Sequence, residues 1–131
     1  YIGDMKLAMV TVVVDDYDVA VAHYRDGFGF TVIDDHVLSD TKRWVVMSPG
    51  PQSANILIAK AASPEQQAAI GNQTGGRVGF FLDVEDFQED VERMIAAGAR
   101  VIDGPRTEEY GTVAVVRDMY GNKWDVIRRS S

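Results

Sequence analysis

The sequence contains one pattern of residues twice, and this repeat constrains the fold more than any other feature. Val14-Asp15-Asp16-Tyr17 leads through a helical stretch to Thr31-Val32-Ile33-Asp34, and Val84-Glu85-Asp86-Phe87 leads through a similar stretch to Arg100-Val101-Ile102-Asp103. The copies lie 70 residues apart at their start and 69 apart at their end. We therefore expect two half-domains of about 65 residues each in the chain of 131 residues, with the active surface between them.

The first copy predicts one helix and four strands. Met9 to Val14 is β-branched and apolar, which suits a strand that is buried on at least one face. Asp15, Asp16 and Asp18 then supply N-cap oxygens and favourable charge for a helix that ends at Gly27. The remaining strands are expected at Phe30 to Ile33, Arg43 to Met47 and Asn55 to Lys60.

The second copy predicts the same order. Arg77 to Val84 suits a strand, and Asp86 followed by Glu89 resembles a capping box at the start of a helix that stops at Gly98. The helix carries one apolar stripe, formed by Phe87, Val91, Met94 and Ile95. Strands are then expected at Arg100 to Ile102, Thr112 to Val116 and Lys123 to Ile127. Each half is β-α-β-β-β, and the predicted fold class is α+β.

A linker joins the two copies. Ser63-Pro64-Glu65-Gln66 is a capping box with proline at the first helical position, so a short helix should run to about Ile70. The loop Gly71 to Gly76 is rich in glycine, but its spacing matches neither the dinucleotide motif nor a P-loop, and it predicts a plain connector. We expect a single domain over 1–131, with module one at about 5–61, the linker at about 62–76 and module two at about 77–129.

Composition narrows the classes of function. The net charge is −7 and the basic residues are scattered, so we expect no nucleic-acid partner. The absence of cysteine excludes disulfides, thiolate metal sites and cysteine nucleophiles. No apolar run approaches the ~20 residues of a membrane span, and no signal peptide is evident, so we expect a cytoplasmic protein without a membrane partner. Met5-Lys6 resembles a natural start, and Tyr1 to Asp4 are expected to carry no function.

Two motifs add a family resemblance to this pattern. The first module offers Asp16, then His23-Tyr24, then Phe28-Gly29-Phe30, and the second ends in Asp118-Met119-Tyr120-Gly121-Asn122-Lys123-Trp124-Asp125. Over nearly its whole length the chain resembles the vicinal oxygen chelate superfamily, which includes glyoxalase I, bleomycin-resistance proteins and extradiol dioxygenases. The resemblance implies two β-α-β-β-β modules whose strands form a curved mixed sheet around a cup that holds ligand or metal. It also implies a homodimer.

In the metal enzymes of that superfamily, four positions point into the cup. The resemblance places them at Met9, Ile58, Gly79 and Asp125, of which only Asp125 can bind a metal. A catalytic metal centre usually needs at least three ligands of histidine or carboxylate type. We therefore expect no metal site of the family type and no cofactor.

Four aromatic side chains have roles that the sequence leaves open to different degrees. Trp44 could pack in the core or form a stacking wall for a ligand. Trp124 neighbours Asp125 on one strand, should face the opposite side and is expected in the core. Tyr110 could lie over the mouth of the cup, since rim loops often carry specificity. His23 is expected to be a packed helix residue rather than a catalytic base.

Three interpretations of function follow. The favoured one is a metal-free small-molecule binding protein that captures a cationic or aromatic drug-like compound, so that enzymatic activity is not expected. The alternative is a metal-dependent lyase, isomerase or dioxygenase of the same superfamily with non-standard ligands. A third is an interaction module without a ligand, since fold alone does not assign function. The predicted ligand-binding residues are Met9, Trp44, Ile58, Gly79, Tyr110 and Asp125.

Overall fold

The computed structural model describes residues 3–130, so Tyr1, Ile2 and Ser131 lie outside the described residues, including half of the segment for which we expected no function. Within that range, the first module comprises β1 (Met9–Val14), α1 (Tyr17–Asp26), β2 (Thr31–Val37), β3 (Arg43–Ser48) and β4 (Asn55–Lys60). The linker contains α2 (Pro64–Ala69), and the second module comprises β5 (Phe80–Asp83), α3 (Phe87–Ala96), β6 (Arg100–Glu108), β7 (Gly111–Arg117) and β8 (Lys123–Arg129). The predicted α+β class with two β-α-β-β-β modules is confirmed.

Hydrogen bonding divides the eight strands into two four-stranded mixed sheets. The first has the order β1-β4-β3-β2 and the second β5-β8-β7-β6, so the same topology occurs twice. In each sheet the first strand of the module pairs in parallel with the last, and the remaining pairs are antiparallel. Each module thus closes on itself through a crossover that contains its helix.

The repeated Val-Ile-Asp segments encode the same irregularity in both sheets. The register of β2 against β3 shifts between Val32 and Asp34, and that of β6 against β7 shifts between Val101 and Asp103. A shift of this kind is a β-bulge, which bends the strand and increases its twist. The sequence repeat therefore preserves a backbone feature as well as the order of elements.

Two predicted strands in the second module have different lengths from those expected. The predicted strand Arg77 to Val84 is shorter, because the Arg77 carbonyl accepts a hydrogen bond from the Thr74 hydroxyl (2.6 Å) and belongs to the linker loop. The predicted strand Arg100 to Ile102 is longer and reaches Glu108, because it forms a hairpin that pairs as far as Gly111. Local contacts, in the linker loop and in the hairpin, therefore set the start of β5 and the end of β6.

Helix capping distinguishes the two copies. Asp16 Oδ1 accepts the Val19 N–H (2.9 Å) and caps α1 as predicted. Asp86 precedes α3, but its side chain makes no capping hydrogen bond, so the predicted capping box there is wrong. Its backbone, with φ −108° and ψ 72°, departs from the extended conformation in which an N-cap side chain reaches back to the first turn. Ser63 caps α2 through the Gln66 N–H (3.1 Å).

One hydrophobic core joins the modules. α1 and α3 contact the two sheets on the face that carries the core residues, and we call the other face of each sheet its open face. Trp124 is 1% exposed and confirms its predicted place in the core, where its ring stacks on Phe80 with centroids 4.3 Å apart. Phe28 from the first module contacts the same ring at 5.0 Å. None of the helices in the described part of the chain is long and apolar enough to cross a membrane.

The linker covers part of the edge between the modules. β1 is the outermost strand of its sheet, and Gln73 pairs with its backbone as another strand would. The Val13 N–H donates to Gln73 Oε1 (2.8 Å), and Gln73 Nε2 donates to the Thr11 carbonyl (2.9 Å). This side chain ties the linker to the first sheet.

Candidate functional site

The buried carboxylate of Asp118 is the centre of a hydrogen-bond network between the modules. Oδ2 accepts from the Tyr24 hydroxyl (2.6 Å), the Trp124 indole (2.8 Å) and the Asn122 amide (3.1 Å). Oδ1 accepts the backbone N–H groups of Tyr120 (2.9 Å) and Asn122 (3.0 Å). Burial, with the Asp118 charge next, raises the pKa of Tyr24 well above its ordinary value of 10.0. With five bonds accepted and 3% of its surface exposed, Asp118 holds the fold together rather than binding a ligand.

His23 also takes part in the contact between the two modules and is not available as a base. It is 3% exposed, and its Nδ1 lies 2.8 Å from the Ala97 carbonyl oxygen. The Met119 N–H donates to Nε2 (3.1 Å). These partners assign the proton to Nδ1, and both ring nitrogens bond to backbone of the second module. The expectation of a packed helix residue agrees with this arrangement.

The largest cavity we describe lies on the first module, where the ends of β1, β3 and β4 meet the linker. Its volume is about 720 Å³. Thr11, Leu57 and Trp44 project from the open face of the sheet, and the linker closes one side with Gln66. The full lining comprises Thr11, Tyr17, Thr41, Lys42, Arg43, Trp44, Leu57, Ile58, Ala59, Lys60, Ala61, Ala62 and Gln66. Size and apolar walls fit a small organic molecule.

The charged residues that line this cavity are all basic. Among its described lining residues, Lys42, Arg43 and Lys60 are cationic and none is acidic, although the chain carries a net charge of −7. The lysines make no ion pair within residues 3–130, so their charges remain available to a ligand.

Arg43 differs from the two lysines because its charge is already paired. Its guanidinium contacts Asp35 (2.7 Å) and Asp18 (2.8 Å), and these carboxylates, Asp35 first, raise the pKa of Arg43. The guanidinium also lies 5.1 Å from the centroid of the Tyr17 ring, and the Tyr17 hydroxyl accepts the backbone N–H of Arg43 (3.1 Å). Arg43 therefore fixes α1 and β2 around the cavity wall and keeps the Tyr17 side chain in place.

The predicted ligand residues lie in several places. Trp44 and Ile58 border the cavity, although the Ile58 side chain is fully buried in the core. Met9 lies on the same face of β1 as Thr11, two residues before it in the strand. Tyr110 is half exposed in the turn between β6 and β7.

Gly79 lies beneath the linker loop of the second module. A Cβ atom at this position would lie 2.8 Å from the Thr74 side-chain methyl group, which already covers it. The Gly79 N–H donates to the Lys123 carbonyl (3.1 Å), so the backbone runs beside β8. The position at which the resemblance implies a family metal ligand is therefore covered by a methyl group.

Asp125 lies on the open face of the second sheet. It pairs with Phe81 on one side and with Val115 on the other, and Phe81 is 71% exposed. One carboxylate oxygen of Asp125, Oδ1, is buried and has no hydrogen-bond partner among the described residues. A buried oxygen without a partner normally indicates a ligand or an ordered water.

The donor set around Asp125 does not suit a catalytic metal. Its strand partners are hydrocarbon side chains, and the positions equivalent to the other family ligands carry a thioether, an isoleucine and a glycine. Within residues 3–130, no three side chains of histidine, cysteine or acidic type gather closely enough to hold a metal ion. Such a centre needs three or more of them.

Comparison with known proteins identifies the family. The model of the "Glyoxalase/Bleomycin resistance protein/Dioxygenase superfamily" matches residues 6–126 of the chain. The chain belongs to this superfamily. An uncharacterized protein of Shewanella frigidimarina (strain NCIMB 400) is 44% identical over 125 residues, which are 94% of this chain and 93% of that protein.

Solved structures share the fold of this chain. The crystal structure of UcmS2 aligns with a TM-score of 0.78 and 28% identity, covering 95% of this chain and 98% of that one. TnmS3, an antibiotic binding protein from Streptomyces sp. CB03234, aligns with a TM-score of 0.75 and 22% identity, covering 99% and 100%. The second likeness is evidence of the fold alone.

Sequence reasoning missed most of the cavity lining. Leu57 and Ala59 flank the predicted Ile58, and they occupy the open face because Ile58 pairs with the buried Val45. The alternation of side chains along β4 could have indicated this, since neighbours on a strand face opposite sides. Lys42 and Lys60 had no sequence signal, because only the fold brings their strand ends together.

Proposed function

We propose that this superfamily member captures an aromatic small molecule in the cavity beside Trp44 and does so without a metal. The observation that carries the proposal is the cavity of about 720 Å³, with its apolar wall formed by Trp44, Leu57 and Ala59. A rigid aromatic wall offers a large contact area at low cost in conformational entropy. The structural likeness to an antibiotic binding protein supports capture as the role of this fold here.

The charges of the cavity narrow the class of ligand that we expect. Lys42 and Lys60 would repel a cationic compound and attract a carboxylate, sulfonate or phenolate. The cationic drug expected from the sequence is therefore the less favoured choice. We propose an acidic aromatic ligand whose ring lies on Trp44 and whose anion lies between the two lysines.

The proposal includes stoichiometric capture rather than turnover. His23 is committed to the fold through both ring nitrogens, and Asp125 lies on the other sheet from the cavity. The described lining of the cavity contains no histidine or carboxylate that could act as a general base, and His36, which pairs with Trp44 across β2 and β3, lies beside Asp34 (3.5 Å) outside that lining. We further propose a homodimer, as the family resemblance suggests, and a location in the cytoplasm.

The probe for this function is anilinonaphthalene sulfonate, an anionic aromatic dye, with cationic thioflavin T as the charge comparison. We expect the anionic dye to bind with one site per chain and Trp44→Ala to weaken it roughly tenfold or more, as loss of a large aromatic contact does. Lys60→Glu should weaken it further. Fluorescence titration in the presence of a chelator measures both dyes.

Matched variants decide where the dye binds. Phe81→Ala removes an exposed aromatic ring from the open face of the second sheet, and Lys6→Glu makes the same charge change as Lys60→Glu outside the cavity. Both should leave the affinity unchanged. If Phe81→Ala abolishes dye binding while Trp44→Ala does not, the ligand site lies on the second sheet and the proposal is wrong.

One observation favours the metal-dependent alternative, namely the unpartnered Oδ1 of Asp125. Metal analysis of protein purified without chelator tests it. A stoichiometric transition metal that disappears in Asp125→Asn would establish a metal site with non-standard ligands and would contradict metal-free capture.

A further inference from the structure

Three cations stand side by side across the second sheet. Arg100 on β6 pairs with Arg117 on β7, and Arg117 pairs with Lys123 on β8. Directly paired residues project from the same face of an antiparallel sheet, with Cβ atoms only about 5 Å apart. Like charges in that arrangement destabilise a sheet. We call Arg100, Arg117 and Lys123 the cation row.

The protein itself does not neutralise this charge. In the described part of the chain, the ion pairs to acidic groups are made by other basic residues, and none includes a member of the cation row. Lys123 Nζ donates to the Gly76 carbonyl (2.8 Å), which is a neutral partner. Within residues 3–130, three adjacent positive charges thus lack an ion-pair partner, although the protein as a whole is acidic.

A second cavity, of about 280 Å³, lies where the cation row meets the linker loop. Arg77 adds a further cation from the loop, and Thr74 and Asn72 add polar side chains. The described lining contains no carboxylate and comprises Gly71, Asn72, Thr74, Gly76, Arg77, Arg117, Gly121 and Lys123. It shares no residue with the cavity beside Trp44.

Close backbone contact builds this loop into the second module. A Cβ atom on Gly71 would overlap the Tyr120 carbonyl oxygen, and φ at Gly71 is +70°, so only glycine fits there. Thr74 donates to the Arg77 carbonyl (2.6 Å) and fixes the turn that presents Arg77. Arg77, Arg117 and Lys123 therefore line one cavity, and backbone contacts hold its loop wall in place.

We infer that this cavity binds an oxyanion of the phosphate or sulfate class. Arginine presents planar pairs of N–H donors that match such oxygens, and lysine adds a point charge. An anion seated between Arg77, Arg117 and Lys123 reduces the repulsion between Arg117 and Lys123. The site is independent of the aromatic-ligand cavity, and each can be tested without the other.

Inorganic phosphate is the probe. Thermal unfolding is measured in phosphate and in sodium chloride of equal ionic strength, because general screening also relieves repulsion. We expect phosphate to raise the melting temperature more than chloride does, with a dependence on concentration that fits one site. Arg117→Gln should weaken the apparent phosphate affinity roughly tenfold or more, in line with loss of a charge-assisted hydrogen bond.

The variants remain informative because removal of a repelled charge should not unfold the protein. Arg117→Gln and Lys123→Gln should be at least as stable as the parent in chloride. Arg25→Gln removes one positive charge from an exposed position on α1 and should respond to phosphate as the parent does. Phenyl phosphate in a parallel arm, measured in Trp44→Ala so that the aromatic-ligand cavity does not contribute, shows whether the site takes an organic phosphate more tightly than the free ion.

Equal stabilisation of the parent, Arg117→Gln and Lys123→Gln by phosphate would overturn the inference, as would equal effects of phosphate and chloride on the parent. A response lost in both variants and kept in Arg25→Gln supports it. Tighter binding of phenyl phosphate would support it too and assign the oxyanion to an organic ligand.

Discussion

The open faces of the two sheets carry different chemistry although their backbones repeat. In the first module, Trp44 and Leu57 form the wall of a cavity of about 720 Å³. In the second, Thr74 covers Gly79, and a row of cations borders a cavity of about 280 Å³. The repeat preserves topology and strand bulges, which build the scaffold. It leaves the outward side chains free to differ, so the symmetry of the fold does not extend to its sites.

The helices show the same divergence on a smaller scale. The Asp16 side chain caps α1, whereas Asp86 stands in the equivalent place and caps nothing. The second module instead carries the Asp118 network, which binds Tyr24 of the first module across the core. The modules are therefore alike in outline and unequal in what stabilises them.

The substitution with the largest expected effect tests whether the modules depend on one another through Asp118. Asp118→Ala leaves the buried Tyr24 hydroxyl and the Trp124 indole without an acceptor, so we expect a loss of about 3 kcal/mol or more in unfolding free energy. Urea denaturation measures it, with exposed Asp40→Ala as the control. A loss no larger than that of the control would mean that the modules are joined by apolar packing alone.

The second expected effect is a pH dependence of stability that follows from the raised pKa of Tyr24. The unfolded chain ionises this tyrosine near pH 10.0, while burial and Asp118 keep it protonated in the folded chain. Its contribution to stability is therefore complete below pH 10.0 and is lost as the pH rises from there towards the raised pKa.

Tyr24→Phe provides the comparison for that pH dependence. Unfolding free energy measured from pH 8 to 11 should fall less steeply above pH 10.0 in the variant than in the parent. Some slope should persist, because burial also raises the pKa of Tyr120. Identical slopes for the two proteins would contradict the assignment of Tyr24 as a buried, protonated group.

The smallest expected effect compares the two helix caps directly. Asp16→Ala removes a capping hydrogen bond and should cost about 1 kcal/mol, whereas Asp86→Ala removes none and should cost little. The same denaturation experiment measures both. Equal losses would show that the two helices begin in the same way and that the modules are more alike than the structure indicates.

The sequence was sufficient for features that depend on local pattern. The repeat, the β-branched run of β1 and the stop at Gly27 predicted the modules, because strand and helix periodicity is read from neighbouring residues. The alternation along β8 placed Trp124 in the core for the same reason. The family and the α+β fold followed from these elements with the two motifs.

Features that depend on pairing between distant strands could not be predicted in this way. The cation row exists only because the register aligns Arg100, Arg117 and Lys123, which are up to 23 residues apart in sequence. The cavity lining likewise combines strand ends with the linker. The six predicted ligand residues stay predictions, and only Trp44 and Ile58 among them border the larger cavity.

The most direct test of the central claim is a crystal structure of chelator-treated protein with anilinonaphthalene sulfonate bound. Our account predicts the dye in the first module, with its ring on Trp44, its sulfonate near Lys42 or Lys60, and no metal in contact with it. Dye bound on the open face of the second sheet beside Phe81 and Asp125, with the Trp44 cavity empty, would contradict the account.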